Sequence, residues 1–391
     1  MARDRFRLLR EQATNRGAGS ALTRYQLCSR YRITMRVAPY FVVLAIPLVI
    51  VLGVVRGSWA AGAGIAFVFV ATPMLDLLLG RRRDNEGTST TTRARVHDVP
   101  LFLWIAIQAA VMIWLVDRVA TSPGSALEHA LAIVSLGLLT GGAGITVAHE
   151  LMHRPGALER GLAEGLMSVV SYPHFTIEHV HGHHRNVATP RDPATSRLGE
   201  SVYRFLPRTL VGGVTSAWRI EVERLDKRGL GVWSRENRML RFACVQLAMY
   251  AAIALMWGVR GVLVWAAQAA IAIVLLELVN YVEHYGLARA AIGDGRFERV
   301  QPWHSWNASE RFSNWLLFNL QRHSDHHFLA ARPYETLRHY DDVPQLPAGY
   351  ATMVLLALVP PLWHRVMDRR AIAAARGTAL ARADRLAVDG V

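Results

Sequence analysis

Cysteine is nearly absent. The 391-residue chain has two, Cys28 and Cys244, far apart in sequence. That excludes a disulfide framework and any CxxC pair, so the chain carries no zinc ribbon, rubredoxin-type or iron–sulfur site of its own. Charge is scarce as well: charged residues make up 19 % of the chain, against about 25 % in a typical soluble domain. Negative charge is the scarcer sign, with 30 Asp and Glu against 44 Lys and Arg. The net charge of +14 comes almost wholly from arginine. A cleavable leader is not visible, because the first 36 residues are polar and Arg-rich with no apolar core. There is no internal repeat, and the one biased tract is the short polar run Thr88 to Thr92.

What the chain has in quantity is apolar sequence, 52 % hydrophobic residues gathered in blocks that exclude charge. A bilayer core takes about 20 apolar residues in a helix. Six stretches meet this: Val37–Val55, Trp59–Leu79 with Asp76 as its sole charge, Pro100–Val116, Ala130–Val147, Phe242–Gly258 and Gly261–Leu276. Only Arg56, Gly57 and Ser58 separate the first two, and only Val259 and Arg260 the last two, so both pairs are expected as tight helical hairpins. Tyr350–Trp363 is shorter and is broken by Pro360 and Pro361; it is expected to lie at the interface or pack on the fold.

Arginine sets the orientation. Nine arginines precede residue 37, and Arg81, Arg82, Arg83, Arg93 and Arg95 follow the second span, whereas the opposite loops hold Arg56, Arg118 and Arg260. By the positive-inside rule the N-terminal tail, the loop after span two, the segment 148–241 and the C-terminus are cytoplasmic. The basic charge is thereby accounted for without nucleic acid, which is not expected as a partner.

Histidine carries the chemistry. The fourth span ends in His149-Glu150-Leu151-Met152-His153, with both rings on one helix face. A second cluster holds His179, His183 and His184, with His181 pointing away; a third holds His323, His326 and His327 at i, i+3, i+4. The sixth span ends in a polar stripe of Glu277, Asn280 and His284. All four fall on the cytoplasmic side. Ionisable groups at membrane depth are costly and functional, and neutral imidazole is a prime transition-metal ligand. Nine imidazoles exceed the needs of one ion and suit two, with four or five each. Glu150, Glu178, Glu283 and Asp325 stand next to these histidines and are candidates to orient the rings by accepting their other N–H. His304 is expected as a neighbour of the site, and His97, His129, His174, His339 and His364 as isolated side chains.

The first box also fits HExxH, the zinc-protease signature. A zinc protease needs three ligands and one base and has no use for three further clusters. An all-histidine site with open positions suits redox metals, and ligand type alone leaves iron and copper open.

The set HxxxH, HxxxHH and HxxHH resembles the membrane non-haem di-iron superfamily of desaturases and hydroxylases. Within it the chain resembles the integral-membrane alkane 1-monooxygenases. The resemblance runs over residues 35–370 and rests on the HELMH box, EHVHGHH, NYVEHYGL, LQRHSDHH, and the flanking segments Asp192–Arg197 and His304–Asn307. Acyl desaturases have a second box of HxxHH, one residue shorter. Arg154 stands where alkane hydroxylases commonly have lysine, and xylene-type methyl hydroxylases are similar across the same boxes.

The resemblance implies an all-α membrane protein: six transmembrane helices and a cytoplasmic helical cap carrying the histidine-rich di-iron site. It implies iron ligation by His149, His153, His179, His183, His184, His284, His323, His326 and His327. The reaction implied is dioxygen-dependent hydroxylation of a terminal methyl group of a medium-chain alkane to a primary alcohol, in the bacterial inner membrane. The hydrocarbon would come from the membrane lipid and the electrons from rubredoxin. The alternatives are an alkylbenzene methyl monooxygenase, a membrane lipid desaturase or a metal transporter. The domain reading is an Arg-rich cytoplasmic segment 1–36, a six-span di-iron domain 37–370 and a cytoplasmic tail 371–391. Gly141, Gly142, Ala143 and Gly144 in span four are expected to allow close helix packing or a tunnel.

Overall fold

The computed structural model describes residues 37–85 and 95–388, with side chains up to residue 377. The N-terminal segment 1–36, Arg93 and the run Thr88 to Thr92 lie outside the described residues.

Among the described residues the regular structure is helical apart from a small exposed hairpin, β1 (Ala291–Gly293) with β2 (Arg296–Phe297). Among the described residues, five helices are long and apolar enough to cross a membrane, against the six expected. They are α1 (Ala38–Arg56), α2 (Ser58–Leu79), α3 (Arg95–Thr121), α4 (Ala126–Met152) and, after three shorter helices, Arg238–His284. Large apolar side chains such as Leu77, Leu255 and Val259 stand exposed on these helices. An apolar outer surface of that kind requires lipid as its solvent, and the chain is a multi-pass membrane protein.

The count of five has a local cause. Arg238–His284 spans 47 residues, about 70 Å at 1.5 Å per residue, more than twice a hydrocarbon core of about 30 Å. It contains a break at Gly258, whose φ of 62° and ψ of −163° suit only glycine. Gln246 donates to the carbonyl of Ser168 at 3.0 Å and Gln268 to that of Val169 at 2.9 Å. Residues 22 apart therefore reach adjacent carbonyls, so the two arms lie side by side. The expected fifth and sixth spans are thus one element folded at Gly258. Both sides of the fold touch the α3–α4 turn, through Trp257 with Asp117 and Arg260 with His129.

Between α4 and this hairpin come α5 (Ala157–Val169), α6 (residues 175–186) and α7 (Val202–Asp226); the hairpin itself is α8. After it come α9 (Arg311–Leu316), α10 (His323–Phe328), α11 (Tyr350–Ala357) and α12 (Pro360–Val388). The expected packing of Tyr350–Trp363 is realised: Tyr350, Met353, Val354 and Trp363 are buried in one core with Tyr281 and Tyr285 of α8. The helix α12 runs through residue 370 without interruption.

Among the described residues three π-helical turns interrupt the helices, at Phe67–Ala71 in α2, Thr140–Gly144 in α4 and His179–His183 in α6. Such turns carry an i→i+5 bond and gather at functional sites. Asp76, the sole charge of the second span, is buried and accepts from the backbone N–H of Ser313 at 2.8 Å and from its hydroxyl. This ties the segment leading to the third histidine cluster onto α2.

Candidate metal centre

Four elements converge at one end of the helix bundle. The last turn of α4 brings His149 and His153, α6 brings His179, His183 and His184, the end of α8 brings His284, and α10 brings His323, His326 and His327. The backbone at the end of α8 is fixed by the two segments that flank the boxes. Ser196 Oγ donates to the Tyr281 carbonyl, Trp306 N–H to that of Glu283, and the Trp306 indole to that of Tyr285. The carbonyls left without partners at a helix end are thereby satisfied, and His284 is held in place.

The nine histidines form two groups. His149, His153, His179, His184 and His326 have ring nitrogens within 4.8 Å of one another; so do His183, His284, His323 and His327. The groups abut, with the rings of His184 and His327 stacked at 4.4 Å. Helix α6 serves both: His179 and His184 face the first group and His183 the second. In a regular α-helix His179 and His183, four residues apart, would instead share a face. At 100° per residue an α-helix puts i and i+5 about 140° apart, but the π turn His179–His183 widens the coil and brings His184 beneath His179.

The nitrogens point inward. Nε2 of His184 lies 3.1 Å from Nε2 of His179 and 3.0 Å from that of His326. In the second group, His183 and His327 approach to 3.2 Å, as do His284 and His323. Two ligands about 2.1 Å from one ion and at right angles stand about 3.0 Å apart, so these separations fit shared ions. Nε2 of His149 and of His153 is buried without a hydrogen-bond partner, which a metal ion would supply. Burial first, and then the neighbouring rings, hold His179, His184, His323, His326 and His327 well below the ordinary histidine range. They are therefore neutral and able to ligate at pH 7. The donor set is all imidazole nitrogen, which suits iron, zinc, copper or nickel.

Of the four acids beside the histidines, Glu283 lies against a ligand ring, its Oε2 3.2 Å from Nε2 of His323 and its Oε1 accepting the Tyr350 hydroxyl at 2.6 Å, while the other three make their bonds elsewhere. Glu150 accepts Nε and Nη2 of Arg154, which also binds Asp98; the arginine at this position is a clamp between α4 and α3. Asp325 is fully buried and accepts from Arg332, the Arg338 N–H and the Tyr340 hydroxyl, so it secures the 332–340 loop. Glu178 accepts from Ser216 at 3.3 Å, and burial followed by the charge of Asp192 pushes it up to about 8. A carboxylate that holds the far nitrogen of a ligand ring is Asp192, whose Oδ2 receives His183 Nδ1 at 2.8 Å. Burial pulls His183 down, but the charge and hydrogen bond of Asp192 outweigh it and leave the ring raised. Asp192 sits nine residues from His183, and no spacing rule joins the two.

Both nitrogens of His304 are engaged, Nδ1 by Gln301 N–H and Nε2 by Glu298, so it stands outside both groups. His181 is exposed.

An apolar cavity of about 90 Å³ opens against both groups, reaching His149 and His179 of the first and His323 of the second. All three π turns contribute to its wall, through Val68 and Phe69, Gly141 to Ala143, and His179. The glycines of α4 divide their work. A Cβ at Gly141 would meet the Ala272 backbone at 2.6 Å, and one at Gly144 the Gln108 side chain at 2.4 Å, whereas one at Gly142 would enter open space.

The comparisons with known proteins agree with this site. The family model for fatty acid desaturases matches residues 125–357. Alkane 1-monooxygenase 1 of Pseudomonas aeruginosa is 44 % identical over 315 residues, 79 % of this chain and 82 % of that protein. Alkane 1-monooxygenase 2 of Alcanivorax borkumensis is 40 % identical over 314 residues, 78 % of this chain and 81 % of that protein. The xylene/toluene monooxygenase hydroxylase component of Pseudomonas putida is 29 % identical over 333 residues, 84 % and 87 % of the two chains. With its histidine boxes folded into two adjoining centres, this membrane chain belongs to the alkane 1-monooxygenase family of oxidoreductases.

Proposed function

We propose that this protein hydroxylates the terminal methyl group of a medium-chain alkane with dioxygen, giving a primary alcohol, with two irons held by the nine histidines and electrons drawn from rubredoxin. The observation that carries the reading is the apolar cavity, which meets His149, His179 and His323 and is walled by α2, α4 and α8. Two iron ions in the paired centres would supply dioxygen activation and the oxidising power that a C–H bond demands.

The chain's own residues do the rest. The buried imidazoles present neutral nitrogens, and Asp192 fixes the tautomer of His183 by accepting a hydrogen bond from its Nδ1–H. The cavity wall excludes water and directs the chain end toward the histidines. An alkane gains about 0.8 kcal/mol per CH₂ on leaving water, so the bilayer concentrates it at the spans. Alkane 1-monooxygenases at 37–44 % identity favour an alkane over an alkylbenzene, since the xylene/toluene relative stands at 29 %.

The arginine distribution supports six crossings, with both termini and the site cytoplasmic in the bacterial inner membrane, the α8 hairpin supplying two. The segments 1–36, 37–370 and 371–391 then serve as tail, catalytic domain and tail. An Arg-rich cytoplasmic face would steer an acidic rubredoxin, and turnover falling with ionic strength is the expected sign of it.

The test is to offer octane and xylene side by side to cells expressing the protein under ¹⁸O₂. The expected product is 1-octanol carrying the label. Preferential xylene oxidation would support the alkylbenzene reading, and new double bonds in membrane acyl chains a desaturase. Zinc alone in the purified protein would overturn the mechanism.

A further inference from the structure

Gln268 is fully buried in the second arm of α8, at membrane depth. A polar side chain there is expensive and is a functional candidate. Both ends of its amide are used. Nε2 donates to the Val169 carbonyl at the end of α5, at 2.9 Å, and Oε1 accepts the Thr140 hydroxyl at 2.8 Å. Thr140 opens the π turn of α4, and its carbonyl takes the wide bond from the Ile145 N–H. The other end of that turn also meets a buried glutamine. Gln108 of α3 accepts the Trp104 indole N–H at 2.7 Å, and its oxygen lies where a Cβ on Gly144 would meet it at 2.4 Å. Between the two glutamines stand Gly141, Gly142 and Ala143, which line the apolar cavity.

The histidines do not require the turn at this place. A π turn adds one residue to a helix. Moved along α4, it would leave His149 and His153 facing as they do, because the same extra residue still precedes them. Every residue between its old and new places would turn by about 100°. The small side chains would leave the cavity wall, and a bulky neighbour such as Leu139 would turn toward it. Thr140 alone does not hold the place either. Its hydroxyl has the Leu136 carbonyl within 3.1 Å, the ordinary i−4 bond of a threonine in a helix. Gln268 competes for that proton and ties Thr140 to a second helix.

We infer that Gln268 is a positioning residue for the substrate: through Thr140 it fixes where along α4 the π turn sits, and so which side chains the hydrocarbon meets. Thr140 precedes His149 by nine residues, about 13 Å along the helix. The turn therefore bears on the far part of a bound chain and not on the end at the histidines. Its effect is on chain-length preference.

The inference rests on the alkane reading and is tested separately from it. Q268M keeps the bulk of the side chain and removes both hydrogen bonds. The iron-loaded variant is assayed on octane and dodecane in detergent, and its structure is determined by cryo-electron microscopy. The wide turn is expected away from Thr140–Gly144, with iron content as in wild type. The ratio of kcat/KM for dodecane to that for octane is expected to fall about 10-fold, mainly through KM. T140V should do the same, T140S should behave as wild type, and Q268M/T140V should be no worse than either single variant, because the two side chains act through one bond. A wide turn still at Thr140–Gly144 in Q268M, or an unchanged ratio, would refute the inference. So would an equal loss on both alkanes accompanied by lost iron, which is what a structural role alone gives. Wild-type protein that oxidises neither alkane would refute the alkane reading instead, and the place of the wide turn in Q268M would still decide for or against Gln268. If Q268M is not recovered folded, T140V and T140S are compared in its place, and identical ratios in the two refute the inference equally.

Discussion

Replacing Asp192 by Asn removes one charge and leaves the shape. In the folded protein Oδ2 of Asp192 receives His183 Nδ1 at 2.8 Å and the Thr195 hydroxyl at 2.5 Å, while Oδ1 receives the Ala194 N–H at 3.0 Å. Both partners of the His183–Asp192 pair are sealed from solvent, at 1 % and 0 % exposure. With a carboxylate behind it, the ring must carry its proton on Nδ1, which leaves Nε2 bare toward the centre. An amide can turn its NH₂ toward the ring, which moves the proton to Nε2 and removes the lone pair that would bind metal. Removing such an orienting partner costs typically 10- to 100-fold in metal affinity, about 1.4 to 2.7 kcal/mol. The assay is iron retained per chain during timed dialysis of purified D192N against a chelator. One of the two irons is expected to leave 10 to 100 times faster than in wild type, and the other at the wild-type rate. Retention of both irons at wild-type rates would refute the argument that Asp192 sets the tautomer of a ligand.

Other outcomes follow from the same geometry. Metal-free protein should lose stability in acid: the five rings held well below the ordinary range stay neutral when folded, so unfolding takes up protons once pH falls below about 6.5. Above that pH their contribution is fully present; below it the loss approaches about 1.4 kcal/mol per pH unit for each ring, read from thermal melts between pH 7.5 and 5. Asp325→Ala strands the buried Arg332 guanidinium and is expected to cost about 3–5 kcal/mol, seen as a lowered melting temperature with loss of both irons. Gly142→Val pushes a side chain into open cavity; if it displaces two methylenes, longer alkanes lose about 1.6 kcal/mol of binding, or some 15-fold in kcat/KM, relative to shorter ones.

The first four spans could be read from sequence because charge brackets them. The fifth and sixth are harder, since the chain reverses at Gly258 inside apolar sequence with only Arg260 beyond it. Histidine content announced the centre, but its division did not follow from α spacing, because the π turn at His179–His183 changes which rings align. Adjacency in sequence misled for the acids. Neighbours on a helix diverge by 100°, so Asp325, between ligand histidines, faces Arg332, and Glu150, beside His149, faces Arg154. Asp192 belongs to a flanking segment noted only through resemblance; its contact with His183 depends on the turn at residues 187–195 folding back.

The π turn of α6 also bears on how such boxes change over time. A residue added inside a regular helix rotates everything after it by 100°, which here would carry His183 and His184 off their targets. Widening the coil over one turn absorbs the extra residue locally. The order of ligands along the chain and their order around the metals are thereby uncoupled. In this chain the spacing of the HxxxHH box therefore reports helix pitch as much as it reports the metal site.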